Sequence, residues 1–151
     1  MEKIMNSKTQ LLFLCTGNSC RSQMAEGLGR HFCGDTIDFS SAGIEKHGLN
    51  PFAVKAMQEI GIDITSHSSN TLDELDADNL DYIVTVCGHA DETCPVLATN
   101  TQRIHKGFDD PPKLAAQEAT EEEGMVHYRR VRDEIKAYIL TLPSTLNVSL
   151  D

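Results

Sequence analysis

Apolar residues fall into two spacings along the chain. Residues 10–15, Gln-Leu-Leu-Phe-Leu-Cys, form an almost unbroken apolar run, the pattern of a strand covered on both faces. Residues 37–42 put Ile37 and Phe39 on one side of a second strand. Residues 80–86 are the richest β-branched stretch and predict a central strand, and residues 103–106 a short weak one. Between the strands the period changes. Met24, Ala25, Leu28 and Phe32 predict a helix over 22–32, weakened by Gly27 and Gly29 and therefore dependent on tertiary packing. Asn50-Pro51 opens another helix, with Asn as cap and Pro in the first turn. That helix sets Val54, Met57 and Ile60 on one face and stops at Gly61. Thr120-Glu-Glu-Glu123 forms a capping box for a long helix carrying Tyr128, Val131, Ile135, Tyr138 and Leu142, which Pro143 ends. This alternation predicts one catalytic α/β domain over residues 1–151, with 1–8 and 144–151 as peripheral tails. Its core is an open four-stranded parallel sheet with helices on both faces and sites at the strand C-termini.

Composition narrows the function. The chain has 151 residues, 40% of them hydrophobic and 24% charged, as in a soluble globular domain. The longest aliphatic-aromatic run is too short to span a membrane, and the N-terminus lacks the apolar core of a signal peptide, so a cytoplasmic protein is expected. A net charge of −10 argues against nucleic acid and anionic membrane surfaces as partners. It also repels anionic substrates at long range, so any anion site must be built locally from oriented amides and arginine. Five cysteines without a secretory signal favour catalytic or redox thiols over a disulfide framework.

Such a site follows the first strand. Cys15-Thr-Gly-Asn-Ser-Cys-Arg21-Ser22 forms a loop between a strand and a helix N-terminus, opened by Cys and closed by Arg. Consecutive backbone N–H groups and the helix dipole suit a tetrahedral oxyanion, and the same field lowers a thiol's pKa, making Cys15 the expected thiolate nucleophile. Two more features stand at strand ends: Cys87-Gly-His-Ala-Asp-Glu-Thr-Cys94, and Gly107-Phe-Asp-Asp-Pro-Pro112. The Cys-x6-Cys spacing is poor for zinc, and no metal site is expected. Cys33 reads as a small apolar filler near a helix end.

The loop has the Cys-x5-Arg form of the low-molecular-weight protein tyrosine phosphatases. Gln23-Met-Ala-Glu-Gly27, Ser41-Ala-Gly-Ile-Glu45, His47-Gly-Leu-Asn-Pro51, Thr85-Val-Cys-Gly88, Cys94-Pro95, Gly107-Phe-Asp-Asp-Pro111 and Arg129-Arg-Val-Arg-Asp-Glu-Ile135 extend the likeness. Together they resemble the thioredoxin-coupled arsenate reductases built on the phosphatase fold, over roughly residues 9–140.

The resemblance implies a role for each matching residue. Cys15 attacks arsenate. Arg21 and the amides of Thr16, Gly17, Asn18, Ser19, Cys20 and Arg21 hold the oxyanion; Ser22 donates to the Cys15 thiolate, and Asn18 braces the loop. Asp110, the aspartate next to proline, is the general acid in preference to Asp109. Cys87 attacks Cys15, releasing arsenite. Cys94 then attacks Cys87, and reduced thioredoxin, the electron donor, resolves the pair; no tightly bound cofactor is implied, and a monomer is expected. Disulfide geometry demands close approach at each step, so residues 87–94 are expected to be a mobile exposed loop. Some relatives bind potassium through an Asn, a Glu, a Ser and an Asp. Asn18, Glu26 and Ser41 match the first three, but Asn70 stands at the fourth, and losing that carboxylate weakens an oxygen-ligand cation site. Lys106 replaces a Trp common beside the acid loop.

The alternative is a phosphotyrosine phosphatase working through a Cys15 phosphoenzyme. Both readings share Cys15, Arg21 and Asp110. Pro112-Lys113-Leu114 lacks the aromatic residues that such a phosphatase sets after its acid, and a hydrolase has no use for Cys87 and Cys94.

Overall fold

A computed structural model describes residues 8–75, 79–94 and 101–146. Strand β1 (Thr9–Cys15) leads to helix α1 (Arg21–Cys33), strand β2 (Ile37–Gly43) and helix α2 (Pro51–Gln58). Strand β3 (Tyr82–Thr85), helix α3 (Gly88–Thr93), strand β4 (Gln102–His105), and helices α4 (Pro111–Ala115) and α5 (Glu121–Thr145) follow. The strands form one parallel sheet in the order β2-β1-β3-β4. Leu11, Leu12, Phe13 and Leu14 are all fully buried, which requires that both faces of the sheet be covered. Phe13 stacks on Phe39 of β2 with centroids 5.9 Å apart.

The order reverses at β1. The chain leaves β1 for β2 on one side and returns to β3 on the other, so the crevice beyond the C-terminal ends of β1 and β3 is the topological switch point where ligands bind in such sheets. Leu14 pairs with Thr85, which brings Cys15 and Cys87 out at adjacent strand ends.

The glycines of α1 make room for close packing. A Cβ on Gly27 would overlap Ile64, and one on Gly29 would overlap the Phe39 ring. Helix α2 is capped as its sequence predicts: Asn50 Oδ1 accepts from the N–H of Phe52 at 2.7 Å. Its buried face, however, is Ala53, Ala56 and Met57; Val54 is half-buried and Ile60 lies exposed past the helix end. Small residues won because Arg132 of α5 approaches closely enough to donate to the Ala56 carbonyl at 2.8 Å. The α5 cap differs in detail from a capping box: the Thr120 hydroxyl accepts from the Glu123 N–H and donates to the Glu123 carboxylate.

Pro143 does not end α5, which continues to Thr145, so Ser144 and Thr145 belong to the helix and not to a tail. Proline has no N–H to give the Ile139 carbonyl four residues back. The Cys33 thiol, buried at the end of α1, donates to that carbonyl at 3.6 Å and replaces the missing bond. At the other end, Lys8 is bonded to the Gly34 carbonyl at 2.7 Å, so residue 8 is held against the domain.

Candidate active site

The phosphate loop is shaped from outside. The carbonyls of Cys15, Thr16, Gly17 and Ser19 accept the N–H groups of Ile44, Glu45, His47 and Asn50 at 2.8–3.1 Å. The Asn18 carbonyl accepts from Gln23 Nε2 at 3.1 Å, and the Gly17 carbonyl also takes the Ser69 hydroxyl. With the carbonyls turned outward, the peptide N–H groups turn inward and make an anion-binding nest. Asn18 sits at φ 48°, the left-handed region that Asn tolerates. Its fully buried side chain donates to Ser22 Oγ at 2.9 Å and Ser41 Oγ at 3.0 Å, while Oδ1 accepts from the Asn70 N–H at 2.8 Å. Asn18 is thus the internal brace expected of it.

The loop borders a pocket of about 340 Å³ lined by residues of three segments: the loop from Cys15 to Arg21 except Asn18, His47 and Asn50, and Asp110 with Pro112. Arg21 Nε is buried with no hydrogen-bond partner, an orphan donor at the pocket. Arg21 Nη1 donates to the Phe108 carbonyl at 2.9 Å and Nη2 lies 3.7 Å from Asp110 Oδ1. Asp109 is instead engaged by Arg130 at 3.1 Å and does not line the pocket. The acid loop is tied to the sheet by Lys106 N–H to Thr85 O and Phe108 N–H to Val86 O. Lys106, where a Trp was the family's common choice, places its ammonium 5.4 Å from the Phe108 ring centroid and 5.9 Å from that of Tyr138.

Cys15 and Cys87 are hydrogen-bonded through their sulfurs and share one proton. That bond, aided by the Thr16 hydroxyl at 3.3 Å, the Ala90 N–H at 3.4 Å and the Arg21 charge, pulls Cys87 down to about 5 against the cost of its burial. The Cys87 hydrogen bond and burial push Cys15 well up, and Arg21 and the Ser22 N–H only partly offset them. In the reduced pair the negative charge is thus drawn toward Cys87, through a contact between two strand ends that are remote in the sequence. Ser22 reaches Cys15 through its main-chain N–H, while its hydroxyl accepts from Asn18. Burial raises the Cys20 thiol, which stays protonated in the neutral range.

Residues 88–93 form a helix, not the expected exposed loop. Cys87 Sγ is its N-cap, and Thr85 Oγ1 holds Asp91 at 3.2 Å and His105 Nδ1 at 2.8 Å. Cys94 follows directly, half-buried; its neighbour Pro95 lies outside the described residues. All five cysteines are free.

The residues matching a potassium site do not fit a cation. Glu26 accepts from Ser41 at 2.5 Å and pairs with Arg30 at 2.8 Å, and the Asn18 oxygen is taken by Asn70. His67 lies 3.8 Å from Glu26 and 3.0 Å from Gln23, its pKa pushed down by burial. Arginine supplies the charge a cation would bring. Among the described residues no cluster of three or more His, Cys, Asp or Glu could hold a metal, and no helix is long and apolar enough to cross a membrane.

Sequence reasoning missed Thr16 as a partner of Cys87, His47 as a pocket wall, and the short helices α3 and α4. Asp110-Pro111, a capping residue with Pro in the first turn, was a legible signal for α4.

The profile of the family described as low molecular weight phosphotyrosine protein phosphatase matches residues 10–149. The chain is 55% identical over 141 residues to an arsenate reductase of Halalkalibacterium halodurans, covering 93% of this chain and 99% of that one. It is 53% identical over 125 residues to an arsenate reductase of Bacillus subtilis, covering 83% and 88%. A solved arsenate reductase in its oxidized state shares the fold at TM-score 0.73 and 28% identity, over 91% of this chain and 98% of the other.

Proposed function

Because the chain belongs to the low molecular weight phosphotyrosine protein phosphatase family, in the company of its arsenate reductases, we propose that it reduces arsenate to arsenite through Cys15, Cys87 and Cys94, with thioredoxin as the donor. The observation that carries the reading is the placement of Cys15 and Cys87 at adjacent strand ends, with Thr16 of the loop in contact with Cys87 Sγ at 3.3 Å. A hydrolase needs one thiolate; a reductase needs a second thiol within reach of the first.

The oxyanion enters the nest with its equatorial oxygens on the loop amides and the Arg21 guanidinium. Cys87 accepts the shared proton as Cys15 bonds to arsenic, and Asp110 protonates the departing hydroxide to water. Once deprotonated again, Cys87 attacks Cys15 Sγ; the S–As bond breaks, its electron pair reduces As(V) to As(III), and arsenite leaves. Cys94 then displaces Cys15 from the disulfide, which returns Cys15 as a thiolate. A dithiol such as thioredoxin reduces the Cys87–Cys94 pair. The first disulfide removes the Cys87 charge that caps α3, which favours rearrangement of residues 87–94 and approach of Cys94. Five unpaired thiols suit a reducing, cytoplasmic setting.

The test is arsenate turnover coupled to thioredoxin, thioredoxin reductase and NADPH. Cys87→Ser and Cys94→Ser each lose multiple turnover, and Cys15→Ser loses all activity. Wild-type rates in both resolving-cysteine variants would sink the relay.

A further inference from the structure

The charges lining the oxyanion pocket do not balance for an anionic substrate. Its ionisable residues, among those described, are Cys15, Cys20, Arg21, His47 and Asp110. Cys20 is a buried thiol, the Cys15–Cys87 pair supplies the reacting sulfur, and Asp110 Oδ1 stands 3.7 Å from Arg21 Nη2. Arg21 is thus the one fixed cation of the lining for a multiply charged oxyanion, in a chain of net charge −10. One group able to become a cation remains in the wall: His47.

His47 is fixed there by the loop itself. Its main-chain N–H bonds to the Gly17 carbonyl at 2.9 Å, and its ring covers Gly17 so closely that a Cβ at that position would overlap it. The side chain is half exposed at the pocket mouth, with Nε2 3.5 Å from Glu45 Oε1. The charged groups around it are Glu45 and Lys46 on its own segment, Lys46 being paired with Glu74 at 2.9 Å, Cys15 on the loop, Arg21 on α1 and Asp110 on the acid loop. Glu45 stands beside the ring with a negative charge, and an oxyanion in the pocket would bring a second.

We propose that His47 is the second cationic contact of the pocket and takes up a proton as the oxyanion binds, setting substrate affinity and not the chemical step. By linkage, the anion then binds more tightly where His47 is protonated, and acid pH favours binding. This rests on the reading of the loop as an oxyanion site.

Calorimetric titration of the reduced protein with inorganic phosphate, in two buffers of different ionisation enthalpy, measures the proton uptake. Wild type takes up a fraction of a proton per phosphate; His47→Gln does not. His47→Lys restores affinity without uptake. In arsenate turnover, His47→Gln raises KM about tenfold near pH 6 with kcat little changed, and the penalty shrinks toward about pH 9, where a histidine is neutral anyway. His47→Lys recovers the KM at both. Unchanged uptake in His47→Gln, or a KM penalty independent of pH, overturns the role of His47 while leaving the oxyanion site intact. If phosphate fails to bind wild type under any condition, the oxyanion reading itself fails.

Discussion

The Arg21 guanidinium donates to the Phe108 carbonyl at 2.9 Å while its other terminal nitrogen stands 3.7 Å from Asp110. The side chain that closes the phosphate loop therefore also positions the acid loop across the pocket. Lysine cannot do both, because it lacks the planar fork. Arg21→Lys is expected to lower arsenate kcat/KM by about 100- to 1000-fold, with the thermal midpoint little altered. A loss below about tenfold in steady-state kinetics would mean that the fork is not needed.

Asp109 and Asp110 are adjacent in sequence, yet they face different partners. Asp110 lines the pocket and Asp109 pairs with Arg130 at 3.1 Å. Asp110→Asn should cut the rate of the arsenate step by about 100-fold or more, as loss of a general acid does. Asp109→Asn, at an exposed ion pair, should change it by less than about threefold. Single-turnover kinetics on the two variants separates them, and equal losses would remove Asp110 from the role.

The thiol pair makes a prediction with a definite sign. Cys87 titrates at about 5, below the ordinary thiol value, so its thiolate is present at neutral pH and is lost as pH falls through that value. The associated stability of the reduced fold is fully present above the unfolded thiol pKa and declines toward acid. Alkylation by iodoacetamide, followed by mass spectrometry, should mark Cys87 first and slow as the pH is lowered toward about 5. In Cys87→Ser the hydrogen bond and like charge that raise Cys15 are gone, so Cys15 should titrate lower than in wild type. A Cys15 that titrates higher in that variant would contradict the shared-proton arrangement.

Cys33 lies outside the proposed thiol relay, yet it has a structural task opposite Pro143. Cys33→Ala should leave the Ile139 carbonyl without a donor and cost about 1 kcal/mol, cavity aside. Cys33→Ser, which keeps a donor, should recover part of that in denaturant unfolding. If serine is no better than alanine, the thiol acts only as apolar volume.

The candidate site was legible in sequence because its residues are packed into contiguous motifs. The Cys15–Arg21 loop, Cys87 and Asp110 each come after a strand, and strand–helix alternation is enough to send them to one edge of a parallel sheet. The β1 strand was readable for the same reason: four consecutive apolar residues have no other stable place. Short helices escaped, since α3 and α4 have 6 and 5 residues and are too brief to display a period. The face of α2 was misassigned because burial there is decided by how closely α5 approaches, and the end of α5 because a thiol from α1 repaired what proline removed. How the two thiols meet, which aspartate lines the pocket and which histidine walls it were likewise decided only in three dimensions. Each depends on distances between segments remote in the chain, and electrostatic and hydrogen-bond energies follow those distances, not the order of residues.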